Sequence, residues 1–157
     1  MHEIRLFTDG AARGNPGPGG YGIILMTAHH QKEISKGYRY TTNNRMELMA
    51  VIEGLKALKR TDIPVSVFTD SQYITNAINK GWLNTWIKTN FKGGKKNRDL
   101  WEAFYEISKK LQLKFVWVKG HADNEHNNRC DELATAAADG RDLEIDEVYE
   151  GEHPYDE

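Results

Sequence analysis

Two apolar runs in this chain end alike: Ile4-Arg5-Leu6-Phe7-Thr8-Asp9-Gly10 and Val65-Ser66-Val67-Phe68-Thr69-Asp70-Ser71. Each reads as a strand that stops at Thr-Asp ahead of a small residue. Between them Met46, Met49, Ile52, Leu55 and Leu58 recur at helical spacing behind a Thr42 or Asn43 cap, so a helix is expected over 43–59. A crossover of this type makes the later strand parallel within the sheet. Neighbouring strands would then bring Asp9 and Asp70 to one edge, where open α/β sheets hold ligands. Taken alone, each Asp is equally at home as a turn or cap residue.

Two further acids join them. Glu47 falls in the first turn of the expected helix, where the helix dipole favours negative charge. Asp131 lies in Asn127-Asn128-Arg129-Cys130-Asp131-Glu132-Leu133, inside a helix expected over 125–138. Alone, both read as ordinary helix carboxylates. Gathered together, four acids would repel one another unless cations lay between them. Hard cations such as Mg2+ take oxygen ligands of this kind.

The remaining pattern is regular. Gly14–Gly20 reads as a turn-rich loop, and Tyr21–Thr27 and 31–41 as strands that complete an antiparallel meander. A short helix is expected over Ser71–Lys80, a longer one over Asp99–Leu111 and a strand over Lys114–Lys119. A length of 157 residues fits one domain, and the element order fits an α/β sheet with helices packed on it. The apolar stretch Tyr21–Met26 is too short to cross a bilayer. The single cysteine, Cys130, cannot form an internal disulfide, which suits a reducing, cytoplasmic setting. Beside Arg129 it reads either as a reactive thiol or, more commonly for cysteine, as a small buried residue.

Charge is unevenly spread. Residues 139–157 carry nine acids and one base, whereas residues 1–138 carry 20 basic and 14 acidic side chains, a net +6. A basic body points to a polyanionic partner. The run from Lys80 to Arg98 holds six basic residues and no acid, with Trp82, Trp86 and Phe91 interleaved. Lysines neutralise phosphates and tryptophan rings pack on sugars or bases. The alternative is a helix with core tryptophans and solvated lysines. His121, after Val118-Lys119-Gly120, has the chemistry to exchange protons near neutral pH.

Several ordered motifs resemble one family. Thr8-Asp9-Gly10, Gly14-Asn15-Pro16-Gly17-Pro18-Gly19, Thr41-Thr42-Asn43-Asn44-Arg45-Met46-Glu47-Leu48, Thr69-Asp70-Ser71-Gln72-Tyr73, Val118-Lys119-Gly120-His121 and Arg129-Cys130-Asp131-Glu132-Leu133-Ala134 are similar to those of bacterial type 1 ribonuclease H. The resemblance implies a five-stranded mixed sheet of order 3-2-1-4-5 flanked by helices. It implies a monomeric endonuclease that cuts the RNA strand of RNA–DNA hybrids and leaves 5′-phosphate and 3′-hydroxyl ends. Asp9, Glu47, Asp70 and Asp131 would hold two Mg2+ ions, or Mn2+, about 4 Å apart. His121 would assist proton handling or product release. Asn15, Asn43, Asn44 and Gln72 would touch the hybrid, and Thr42 with Asn127 would form a pocket for a DNA phosphate. Residues 81–97, with Trp82, Lys88, Lys92, Lys95 and Lys96, would form a basic protrusion that grips the DNA strand.

The same resemblance marks residues 1–139 as the catalytic domain and 140–157 as an added acidic tail. That tail is expected to be disordered and to compete weakly with the hybrid for the protrusion. Relatives carry a basic residue where this chain has Tyr40, and an acid where it has Asn128. Rival readings are a hybrid-binding module without catalysis, a DNA nuclease of the same broad fold and a structural cation-binding protein.

Overall fold

Strands β1 (Ile4–Ala12), β2 (Gly17–Met26), β3 (Gln31–Thr41), β4 (Val65–Thr69) and β5 (Leu113–Trp117) form one sheet in the order β3-β2-β1-β4-β5. The computed structural model describes residues 3–94, 96–119 and 124–156. β1 pairs antiparallel with β2 and parallel with β4, and β4 pairs parallel with β5, so the sheet is mixed as expected. Helices follow at α1 (Asn43–Lys56), α2 (Gln72–Asn79), α3 (Trp82–Lys88), α4 (Arg98–Ser108), α5 (Glu125–Ala138) and α6 (Glu147–Glu152). Among the described residues no helix is long and apolar enough to cross a membrane.

The two faces of β1 read out the strand period. Leu6 joins Tyr21, Ile23, Val65 and Val67 in a core with Met46 and Ile52 of α1 and with Trp101 and Phe104 of α4. Phe7 turns to the other face and packs with Ile24 and Cys130 of α5. Cys130 is fully buried and its thiol donates to the Phe7 carbonyl at 3.3 Å. Burial and the nearby carboxylates hold that thiol well above its ordinary range, so the reactive reading is set aside.

The glycine-rich segment departs from its expected loop: Gly17–Gly20 already belongs to β2. Close approach explains this. A Cβ on Gly20 would lie 2.4 Å from the Ala134 carbonyl oxygen, so the bare strand lets the backbone of α5 rest on the sheet. α1 ends at Lys56, three residues before its expected end. The 81–97 segment begins with α3 and continues in turns where Asn90, Phe91, Gly93, Gly94 and Asn97 take positive φ.

The expectation of a disordered tail is corrected over the described residues 140–156. Glu144 is stitched to the free edge of β3, its N–H donating to Gly37 and its carbonyl accepting from Arg39 N–H. Asp146, only 3% exposed, accepts from Thr41 Oγ1 at 2.8 Å and from Arg45 Nε at 2.7 Å. Glu150 accepts from both Nε and Nη2 of Arg39. Tyr40, noted above as a departure from the family pattern, packs against Tyr149 and Tyr155. Composition predicts disorder here because each acid is counted as unpaired charge; the carboxylates of Asp146 and Glu150 instead meet arginines more than a hundred residues away.

Candidate active site

Asp9, Glu47 and Asp70 converge. Each offers an oxygen, and these atoms lie within 4.8 Å of one another. Asp9 lies within β1, Asp70 directly follows β4 and Glu47 reaches across from the start of α1. Gly10 makes the third approach feasible, since a Cβ there would stand 2.4 Å from the backbone nitrogen of Glu47. Its own N–H donates to Asp9 Oδ1 at 2.9 Å and also to Glu47 Oε1. Thr42 starts α1 as its N-cap, accepting from Arg45 N–H at 3.3 Å.

The trio is electrostatically uncomfortable. Asp9 and Glu47 are buried, and no Lys, Arg or His among the described residues lines their depression of about 370 Å³. Burial raises Asp9 to about 7; the hydrogen bond from Glu47 opposes that rise, while Asp70 and Asp131 add to it. Burial also raises Glu47 well above the usual carboxylate range, followed by repulsion from Asp9. Burial and mutual repulsion both favour a proton on this pair over two bare charges. An oxygen-only set with excess negative charge suits hard divalent ions.

Asp131 is half-buried on α5 and lines the same depression, outside the close trio. Asn43, Asn44 and Gln72 also line it. Asn15 and Thr42 line an adjoining cavity of about 550 Å³, together with Lys96 and Arg98. The Asn15 side chain accepts from Asn43 N–H at 3.0 Å, which ties the loop after β1 to the start of α1.

Asn127 does not join Thr42 there. It is buried beneath the sheet edge, its amide donating to the carbonyls of Thr8 and Phe68 at 3.3 and 3.1 Å. The expected phosphate pocket is corrected accordingly: Asn127 pins α5 to β1 and β4. The cavity has amides of its own, Asn15, Asn44 and Asn97, the last held in the left-handed region with its Nδ2 donating to Tyr73 Oη at 3.1 Å. Asn97 closes the basic run, and only its position after two glycines hinted at a turn. Asn128 keeps a buried side-chain oxygen without a partner among the described residues.

The basic segment divides. Lys88, Lys92 and Lys96 are exposed, while Phe91 is buried and Trp86 packs edge-on against Trp101. Trp82 is 44% exposed with the Lys80 ammonium 5.4 Å from its ring. His121 and Lys95 lie outside the described residues.

The RNase H family model matches residues 1–139. Ribonuclease H of Syntrophus aciditrophicus (strain SB) is 49% identical over 151 residues, covering 94% of this chain and 87% of that protein. Ribonuclease H of Thermoanaerobacter sp. (strain X514) is 53% identical over 136 residues, covering 84% and 87%. LC9-RNase H1, a type 1 RNase H with the type 2 active-site motif, superposes with a TM-score of 0.80 at 27% identity, covering 99% of this chain and 82% of that one. LC11-RNase H1, solved in complex with an RNA/DNA hybrid, gives a TM-score of 0.67 at 28% identity, covering 87% and 96%.

Proposed function

The chain belongs to the ribonuclease H family, and from that premise we propose that it is an endonuclease cutting the RNA strand of RNA–DNA hybrids with two bound divalent cations. Mg2+ is the proposed ion, with Mn2+ as a substitute, and the products carry 5′-phosphate and 3′-hydroxyl ends. The observation that carries the reading is the oxygen trio within 4.8 Å, in a depression with no cationic side chain among the described residues. Asp9, Glu47 and Asp70 would hold the ions, with Asp131 completing the set from α5. Bound cations supply charge neutralisation at the scissile phosphate and activation of the attacking water.

The chain's own groups do the rest. Asn43, Asn44 and Gln72 stand beside the acids and would position the RNA strand. Amide side chains both donate and accept, which matches the 2′-hydroxyl that distinguishes RNA from DNA. Thr42 in its adjoining cavity, with Trp82 and the exposed lysines Lys88, Lys92 and Lys96, would hold the DNA strand; Lys95 is assigned with them. Requiring both strands rejects RNA and DNA duplexes. His121 is proposed to move a proton or assist product release. Residues 1–139 are the proposed catalytic domain, acting as a cytoplasmic monomer.

Labelled hybrid, RNA duplex and DNA duplex, each with Mg2+, Mn2+ or chelator, test the reading. Only hybrid with metal should be cut. Asp9→Asn should lower cleavage by about a thousandfold or more while hybrid affinity in chelator stays within a few-fold. Persistent cleavage by this variant would sink the assignment.

A further inference from the structure

The cavity beside the acids has three walls. Thr42 stands on the first, Lys96 and Arg98 on the second, and Glu152 and His153 on the third. That third wall comes from residues beyond 139, where the family match ends. It is not a loose appendage. Asp146 is buried against Thr41 and Arg45, and Glu150 is clamped by Arg39 at 2.8 and 3.0 Å. The same Arg45 donates to Asp99 at the start of α4 at 2.8 and 2.9 Å, so one guanidinium fastens all three walls.

We propose that residues 144–155 form a strap that belongs to the substrate site, setting Glu152 and His153 against a DNA-strand phosphate held between Thr42, Lys96 and Arg98. The proposal rests on the hybrid-cleaving reading above. The exposed Lys96 ammonium, the Arg98 guanidinium, which also donates to Asn90 and pairs with Glu102, and a cap hydroxyl suit a phosphodiester. Glu152 opposes that anion. His153 acts in the other sense once protonated. Its ring stacks on Tyr149 with centroids 4.5 Å apart, and Nδ1 lies 3.3 Å from the Tyr149 carbonyl oxygen. A carbonyl only accepts, so Nδ1 carries the proton and donates to it. The neutral ring then presents only the lone pair of Nε2, whereas the imidazolium presents a second N–H to a phosphate. The charged and titratable groups facing His153 are Glu152 and Tyr149 on α6, which it caps, Lys96 and Arg98 opposite, and Arg45, which is already paired with Asp99 and Asp146.

Both side chains are exposed, so Glu152→Gln and His153→Ala keep the fold and leave the acids untouched. Hybrid affinity is measured by fluorescence anisotropy in chelator, and kcat and KM are measured with Mg2+. Glu152→Gln should bind about two- to fivefold more tightly, with KM lowered by the same factor and kcat unchanged. His153→Ala should bind about two- to fivefold more weakly in acidic buffer, where the second N–H is lost with the ring, and less so in alkaline buffer. Both effects should vanish when one DNA linkage, found by scanning the strand, is a neutral methylphosphonate. Parent-like affinity in both variants in both buffers would overturn the strap's role while hybrid cleavage by the parent stands. Effects that survive a methylphosphonate at every position would overturn it too, since they would reflect the general field. A parent that neither binds nor cuts hybrid would overturn the functional reading and the strap's role together.

Discussion

Arg45 and Glu47 sit two residues apart in the first turns of α1, are both buried, and meet opposite fates. Arg45 is saturated. Asp146 and Asp99 take its guanidinium in paired hydrogen bonds of 2.7 to 2.9 Å, and this keeps it charged. Among the described residues, Glu47 faces Asp9 and Asp70 with the Gly10 N–H to soften them. Burial costs both residues their hydration, but only Arg45 recovers it within the chain. A buried charge that the protein neutralises belongs to its scaffold; one left in deficit points to something supplied from outside.

Removing a partner from the balanced cluster should have the largest effect on folding. Asp146→Ala is expected to cost about 3 kcal/mol in urea denaturation, because Arg45 would stay buried with half its acceptors gone. A loss near zero would mean that Asp99 alone suffices.

The deficient cluster should respond in the opposite direction. Glu47→Gln should stabilise the metal-free protein at about pH 8, by on the order of 1–3 kcal/mol, while ending cleavage. The sign follows from the raised carboxyls. Below about pH 4 the acids are protonated in both folded and unfolded chains. As pH climbs toward the folded value of Asp9, about 7, the unfolded chain ionises first and stability falls. Melting midpoints in chelator should therefore decline between those limits in the parent and decline less in Glu47→Gln. Parallel curves for the two proteins would contradict the deficit.

The smallest effect belongs to charges in neither cluster. Lys88→Ala and Lys92→Ala, on exposed positions, should leave folding alone and weaken hybrid binding by a few-fold. Each lysine–phosphate pairing removed should make the slope of log affinity against log salt shallower by about one. An unchanged slope would remove these lysines from the interface.

The sequence made one of these two clusters visible and hid the other. Asp9 and Asp70 announce themselves because each ends an apolar strand, and the helix between those strands says they lie side by side. The bounds of α5 were legible to its last residue, but its buried stripe runs through Asn127, Cys130, Ala134 and Ala138 rather than through Leu133, Ala136 and Ala137. Arg45 gave no such sign, since its partner Asp146 is 101 residues away and lies in a stretch whose acids outnumber its bases. Gly20 was visible but ambiguous: the residue that permits a turn also permits a helix backbone to touch a strand. Asn127 and Asn97 show the same limit for amides, which look alike in sequence and differ only in what surrounds them. The strand order itself came from family resemblance rather than from pattern, because periodicity identifies strands without ordering them.

Chain separation also sets an order in time. Asp9, Glu47, Asp70 and Asp131 have all been synthesised before Asp146 and Glu150, whose bonds to Arg45 and Arg39 close spans of 101 and 111 residues. A growing polypeptide therefore acquires the means to gather cations before it acquires the wall that would seat a phosphate beside them.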